Sequence, residues 1–210
     1  MTEPDETIIG GSKTCGNWRE FRGSLIPGGH QAPWKAAFVD YFRPRLQLRY
    51  FDSIELLKRL GSNQGEGFSI AAIHCTLIEF LESTVQGINY RHVQRDADLG
   101  LNEYRKSGPV FVAFLTKREP FKQCFRNDAL GWKFYTNVRC GLLHEARTKS
   151  GWRILANGPS DTIANTDDHI LYRNNFHAAV LRFIEWYRVA LVSDILLQKA
   201  FVRKLDDLCE

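Results

Sequence analysis

The sequence predicts a mainly α-helical bundle of four or five helices, with a small β-hairpin insertion and an irregular N-terminal extension. Three observations carry this expectation. Apolar residues recur at spacings of three and four through most of the chain. One segment, residues 152–164, departs from that spacing and contains turn chemistry. The first 31 residues combine clustered glycines with only scattered apolar positions. The expected division is an extension over residues 1–31 and a helical domain over 32–210.

In the extension, Gly10-Gly11, Gly16, Gly23, Pro27 and Gly28-Gly29 leave room for one short ordered piece. A helix is expected from Pro33, where proline suits the first turn, to Phe42, and Pro44 interrupts or restarts it. Its second piece, Arg45 to Leu60, places Leu46, Tyr50, Ile54, Leu57 and Leu60 on one face, and Gly61 closes it. A loop over Ser62 to Gly67 follows. The segment Phe68 to Ile88 then aligns Ala72, Cys75, Ile78, Leu81 and Val85 as a helix.

The run Val110 to Leu115 is apolar throughout, so periodicity assigns it to neither strand nor helix. From Ala129 to Arg147, Phe134, Val138 and Leu142 repeat with helical spacing. Gly141 within that helix marks either a tolerated cost or the close approach of another backbone. Trp152 to Ala156 and Thr162 to Ala164, joined by Asn157-Gly158-Pro159, read as a hairpin. Asn165 to Asp168 offer capping groups for a last helix reaching Lys204, with Phe176, Val180, Phe183, Ile184, Tyr187, Leu191, Ile195 and Leu196 as its buried stripe.

With 210 residues of which 44% are hydrophobic, the chain can bury a real core. Its longest charge-free stretches, Gly23 to Trp34 and Gly67 to Ile78, are 12 residues each, against roughly 20 for a bilayer span. No membrane association is expected. Glu3, Asp5 and Glu6 stand where a secretory signal carries positive charge, which predicts a cytoplasmic protein. Five scattered cysteines without a C-x-x-C pattern suggest reduced thiols. The net charge of +4 is compatible with a polyanionic partner without requiring one. Phosphate-binding, dinucleotide and nucleophile-elbow glycine motifs are absent from the sequence, which removes support for those enzyme classes.

Among six histidines, His144 stands in chemically useful company. It follows Arg139 in Arg139-Cys-Gly-Leu-Leu-His144, with Glu145 and Arg147 next. Arginine keeps its charge and offers a forked donor array for phosphate oxygens, while imidazole exchanges protons near neutral pH. The bland reading is that both groups serve the carbonyls at a helix end. Cys140 and His144 also have metal-ligand spacing, but no second pair accompanies them, and no metal or other cofactor is expected. His74 and His177 read as hydrogen-bonded, partly buried side chains.

This R-x-x-x-x-H spacing on a helix that precedes a last long helix resembles the HEPN (higher eukaryotes and prokaryotes nucleotide-binding) superfamily. The helical order resembles it from Pro33 to Lys204. The resemblance implies a metal-independent endoribonuclease of a toxin or defence system, with RNA as substrate and an antitoxin or activating protein as a possible partner. It makes Arg139 the phosphate-holding cation, His144 the acid/base and Glu79 the orienting partner, with Glu82 a further acidic neighbour. It also implies a homodimer, because positions five apart on a helix diverge by roughly 140° and a two-fold interface would bring two sets of groups into one cleft. Active relatives commonly carry a polar residue where this chain has Cys140, and some carry a tyrosine where it has Ala146. The alternative class of function is a catalytically silent module that dimerises or binds a nucleotide or partner through the same face.

Overall fold

The computed structural model describes residues 3–59 and 65–210 and is mainly α-helical with small β elements. Leu60, Gly61 and the Ser62–Gln64 part of the expected loop lie outside the described residues. In chain order come β1 (Ile8–Gly10), β2 (Lys13–Thr14) and α1 (Cys15–Arg22), then α2 over 31–59 and α3 (Glu66–Gln86). Strands β3 (Asn89–Tyr90) and β4 (Glu103–Tyr104) precede α4 (Ser107–Lys117) and α5 over 128–145. Strands β5 (Arg153–Leu155), β6 (Ala164–Asn165) and β7 (Ile170–Tyr172) lead to α6 (Arg173–Leu191) and α7 (Ile195–Asp207).

These elements form two compact units assembled from separate stretches of chain. One comprises Met1–Asp52, Ser83–Arg105 and Trp186–Glu210, the other Ser53–Glu82 and Lys106–Glu185.

In the first unit the N-terminal segment is tied down. Its ordered piece is α1, closed by a capping box between Thr14 and Asn17 and preceded by the antiparallel pair β1–β2. Trp18 is buried with its ring 5.3 Å from that of Tyr41 and 6.1 Å from Phe201, and its indole N–H donates to Asp206 at 2.8 Å. Glycine-rich composition concealed this anchor. Helix α2 runs through Pro44 without a break. A wide turn over Phe38–Phe42, in which the Arg43 N–H reaches back to the Phe38 carbonyl, adds a residue just before the proline ring. A second wide turn over Gln47–Phe51 shifts the phase, so Phe51 is buried where Tyr50 was expected to be.

The expected last helix is two helices. Asp194 caps α7 by accepting from the backbone N–H groups of Leu196 and Leu197, and the Gln198 amide donates to the Leu191 and Val192 carbonyls that end α6. The break alters the helical phase. Phe176 through Leu191 are buried as expected, whereas Ile195 is 46% and Leu196 76% exposed.

The second unit has an aromatic core. The Phe114 ring lies 4.8 Å from Phe121 and 4.7 Å from Phe183, while Phe134 contacts both Phe125 and Trp152 at 5.2 Å. The unassigned run Val110 to Leu115 is helix α4, and it lacks a period because nearly all its faces are buried. Helix α3 is long and apolar enough to cross a membrane by length and composition, with a mean hydropathy of 1.3, but 61% of that window is buried within the protein. Its Glu82 is fully buried and receives two hydrogen bonds from Arg118, each 2.8 Å.

The hairpin is displaced by one strand from its expected position. Strand β6 pairs antiparallel with β7, and β5 pairs parallel with β7 from its other edge, in the order β5-β7-β6. Asn165 therefore organises the β6–β7 turn, its side-chain oxygen accepting from the N–H groups of Asp167 and Asp168, instead of capping a helix. Asn157-Gly158-Pro159 begins a longer loop held against α6 by Asn174 and Asn175.

A histidine pair is buried in this unit. His74 Nε2 lies 3.0 Å from His177 Nδ1, and the other His74 nitrogen bonds the Ile70 backbone, so the His74 Nε2 lone pair accepts from the His177 N–H. Burial, reinforced by His177, pushes His74 down to about 3. Burial and Lys58 also lower His177, opposed by Glu55, whose carboxylate is 3.6 Å away.

Two stability measurements test this account. An unfolded imidazole takes up a proton below about pH 6.5, whereas folded His74 stays neutral until about pH 3, so stability must fall as pH drops through that window. Urea unfolding should show a loss of about 2 kcal/mol between pH 7 and pH 5 from this group, flattened in His74→Phe. Phe114→Ala should cost about 3–5 kcal/mol at neutral pH, and a loss below about 1 kcal/mol would contradict the packing described.

Candidate functional site

The second unit also builds the surroundings of Arg139. Helix α5 starts at an Asn127 cap and runs as a regular helix over Asp128–Phe134. It widens into a π turn over Tyr135–Arg139 and resumes over Cys140–Glu145. It stops where Ala146 adopts a left-handed conformation, φ 52°. The chain then folds back over Gly141, and a Cβ there would meet the Arg147 carbonyl oxygen at 2.5 Å. Gly141 is thus the close-approach glycine, and the tight return fixes the end of the helix that carries His144.

Arg139 comes from the last position of the wide turn. Its guanidinium carbon sits 5.3 Å from the centroid of the Tyr135 ring, and Nη2 lies 3.7 Å from a Glu79 carboxylate oxygen on α3. The side chain is only 17% exposed. At 3.7 Å the carboxylate is an ionic neighbour but too far for a hydrogen bond. The Nε atom is buried with no acceptor, and no hydrogen bond holds the Arg139 side chain among the described residues. A buried cation with charge compensation and no hydrogen bonds has donors available for an oxyanion.

The neighbours of Arg139 form one polar cluster. The Tyr135 hydroxyl lies 2.8 Å from the Ser107 hydroxyl at the start of α4. Burial raises Tyr135, and the Ser107 bond and the Arg139 charge oppose that rise. Burial pushes the Cys75 thiol up to about 12 despite the Arg139 charge, which keeps it protonated. Cys140 is partly exposed and interacts with Tyr135.

The structure therefore brings Arg139 and Glu79 together and sends Glu82 elsewhere, to Arg118. His144 is exposed on the final turn of α5 and makes no side-chain hydrogen bond or ion pair among the described residues. The helix between Arg139 and His144 is regular, so the two side chains leave it roughly 140° apart. One chain presents the base to solvent and keeps the cation mostly buried. Sequence reading missed Tyr135 and Ser107. Tyr135 lies four residues before Arg139, the spacing at which a helix places an aromatic ring under a guanidinium, but this signal is no stronger than ordinary packing.

The same unit holds a groove of about 800 Å³ lined by the segment Pro120–Leu130, the loop before β6, the β6–β7 turn and Arg182. Arg139 and His144 are not part of its lining. Among the described residues, no group of three histidine, cysteine or acidic side chains could hold a metal ion.

Comparison of the chain with family models, with curated proteins and with solved structures finds no match.

Proposed function

We propose that this chain is a HEPN-like, metal-independent endoribonuclease acting in the cytoplasm, in a toxin or defence setting. The observation that carries the reading is a guanidinium steadied by Glu79 and Tyr135 with its hydrogen-bond donors unused, five residues before a solvent-exposed imidazole. Arg139 would bind the non-bridging oxygens of a phosphodiester and stabilise the charge that builds there. His144 would take the proton of the ribose 2′-hydroxyl. The 2′-oxygen then attacks phosphorus, the bond to the 5′-oxygen breaks and that oxygen receives a proton, leaving a 2′,3′-cyclic phosphate and a 5′-hydroxyl.

The angular separation of Arg139 and His144 favours a site shared between two copies, each supplying what the other lacks. Glu79 acts as a positioning residue by holding the arginine. A second reading, a silent module that dimerises or binds a partner or nucleotide through this face, is favoured by one observation. Arg139 is already ion-paired with Glu79 and is followed by a thiol, which is a poor hydrogen-bond donor.

Purified protein with labelled single-stranded RNA in excess chelator distinguishes the two. The nuclease reading expects cleavage that falls about 10²–10⁴-fold in His144→Ala and by a similar factor in Arg139→Ala, with cyclic phosphate ends and no cutting of DNA. Cleavage that survives both substitutions, or products with 5′-phosphate ends, would remove this reading.

A further inference from the structure

The lining of the groove includes neither Arg139 nor His144, and its chemistry is specific enough to name a ligand class. Its volume of about 800 Å³ lies within the range of small-molecule sites. Its lining includes two guanidinium groups. Arg126 is exposed and has only a 3.5 Å contact to the Gln123 carbonyl. Arg182 lies 3.6 Å from Asp161, without a hydrogen bond between them. Asp161 is 90% exposed, so this pairing contributes little and a doubly charged phosphate can displace it.

The lining also includes acceptors. The β6–β7 turn is set by Asn165, whose side chain holds the N–H groups of Asp167 and Asp168 and donates to the Asp168 carboxylate. This arrangement leaves the Asp167 carboxylate lining the groove with no partner among the described residues. The adjoining loop is held by Asn175, which donates to the Ser160 and Thr162 carbonyls, so this wall is formed before any ligand arrives. Pro120, Leu130 and Pro159 supply apolar surface in the same lining.

Guanidinium groups select phosphate oxygens, an unpartnered carboxylate accepts hydrogen bonds from sugar hydroxyls, and apolar surface receives a base. We propose that this groove binds a phosphorylated ribonucleoside, with Arg126 and Arg182 on the phosphate and Asp167 on the ribose hydroxyls. The assignment does not rest on the nuclease reading, since it uses neither Arg139 nor His144. The same chemistry has two sources, a free nucleotide and the 5′-phosphorylated end of an RNA.

Titration calorimetry on the full chain tests it with AMP, adenosine, 2′,3′-dideoxy-AMP and a tetraribonucleotide with or without a 5′-phosphate. Expected are saturable binding of AMP, at least about tenfold weaker binding of adenosine, and losses of about tenfold in Arg126→Ala and in Arg182→Ala. Both arginines are exposed, so these variants should keep the parent unfolding midpoint. Asp167→Asn should narrow the preference for AMP over the dideoxy nucleotide. Tighter binding of the 5′-phosphorylated tetranucleotide than of AMP, with the same arginine dependence, would identify an RNA end as the source and support the site. No binding of AMP or of the phosphorylated tetranucleotide up to about 1 mM would overturn the proposal. Binding that is unchanged in both arginine variants but lost in Arg139→Ala would overturn it too.

Discussion

Helix α3 carries charge into the apolar interior of the second unit, and the placement of its neighbours follows from neutralising that charge. Glu66 pairs with Arg173 at 2.8 Å, Glu79 with Arg139 at 3.7 Å and Glu82 with Arg118 at 2.8 Å. His74, between them, meets His177. A buried carboxylate without a cation is costly, so each partner has little freedom to be elsewhere. Through these contacts one helix fixes the end of α4, the middle of α5 and the start of α6. Glu82 and Arg118 form the well-made bidentate case. Arg139 is the loosest of the three arginines, and its Nε, like Nη1 of Arg173, finds no protein acceptor among the described residues.

Most of the helical layout was legible because amphipathic helices advertise their buried face. Cys75, Ile78, Leu81 and Val85 on α3, and Phe134, Val138 and Leu142 on α5, are buried as their spacing indicates. Failures came where a second signal competed with periodicity. Ile195 and Leu196 fit an unbroken stripe, but Ser193-Asp194 ahead of an apolar run is capping chemistry, and the cap prevailed. Pro44 reads as a breaker unless the helix can widen, and a wide turn leaves no mark in a periodicity count. Strand pairing in the insertion was misread because three short strands offer two ways to make a hairpin, and the turn held by Asn165 is the better hydrogen-bonded one.

The candidate site was partly legible for a related reason. Arg139 and His144 were identifiable as residue types at a spacing, and Glu79 as an acid on a neighbouring helix. Whether Glu79 or Glu82 would reach Arg139 depended on which face of α3 points at α5. That is tertiary information. The groove was invisible in the sequence, since Arg126, Asp167 and Arg182 are isolated polar residues on three elements whose convergence exists only in the folded chain.

The wide turn at Tyr135–Arg139 amounts to one extra residue inside an otherwise regular helix. Removing one residue there would rotate everything beyond it by about a quarter turn relative to Phe134 and its packing. Gly141 would leave the returning backbone at Arg147, and His144 would face a different direction while its own sequence neighbours stayed the same. The direction in which this chain presents its histidine is therefore encoded by chain length within a helix as much as by residue identity. Single-residue insertions and deletions, usually disruptive in helices, are here the natural means of re-aiming that side chain.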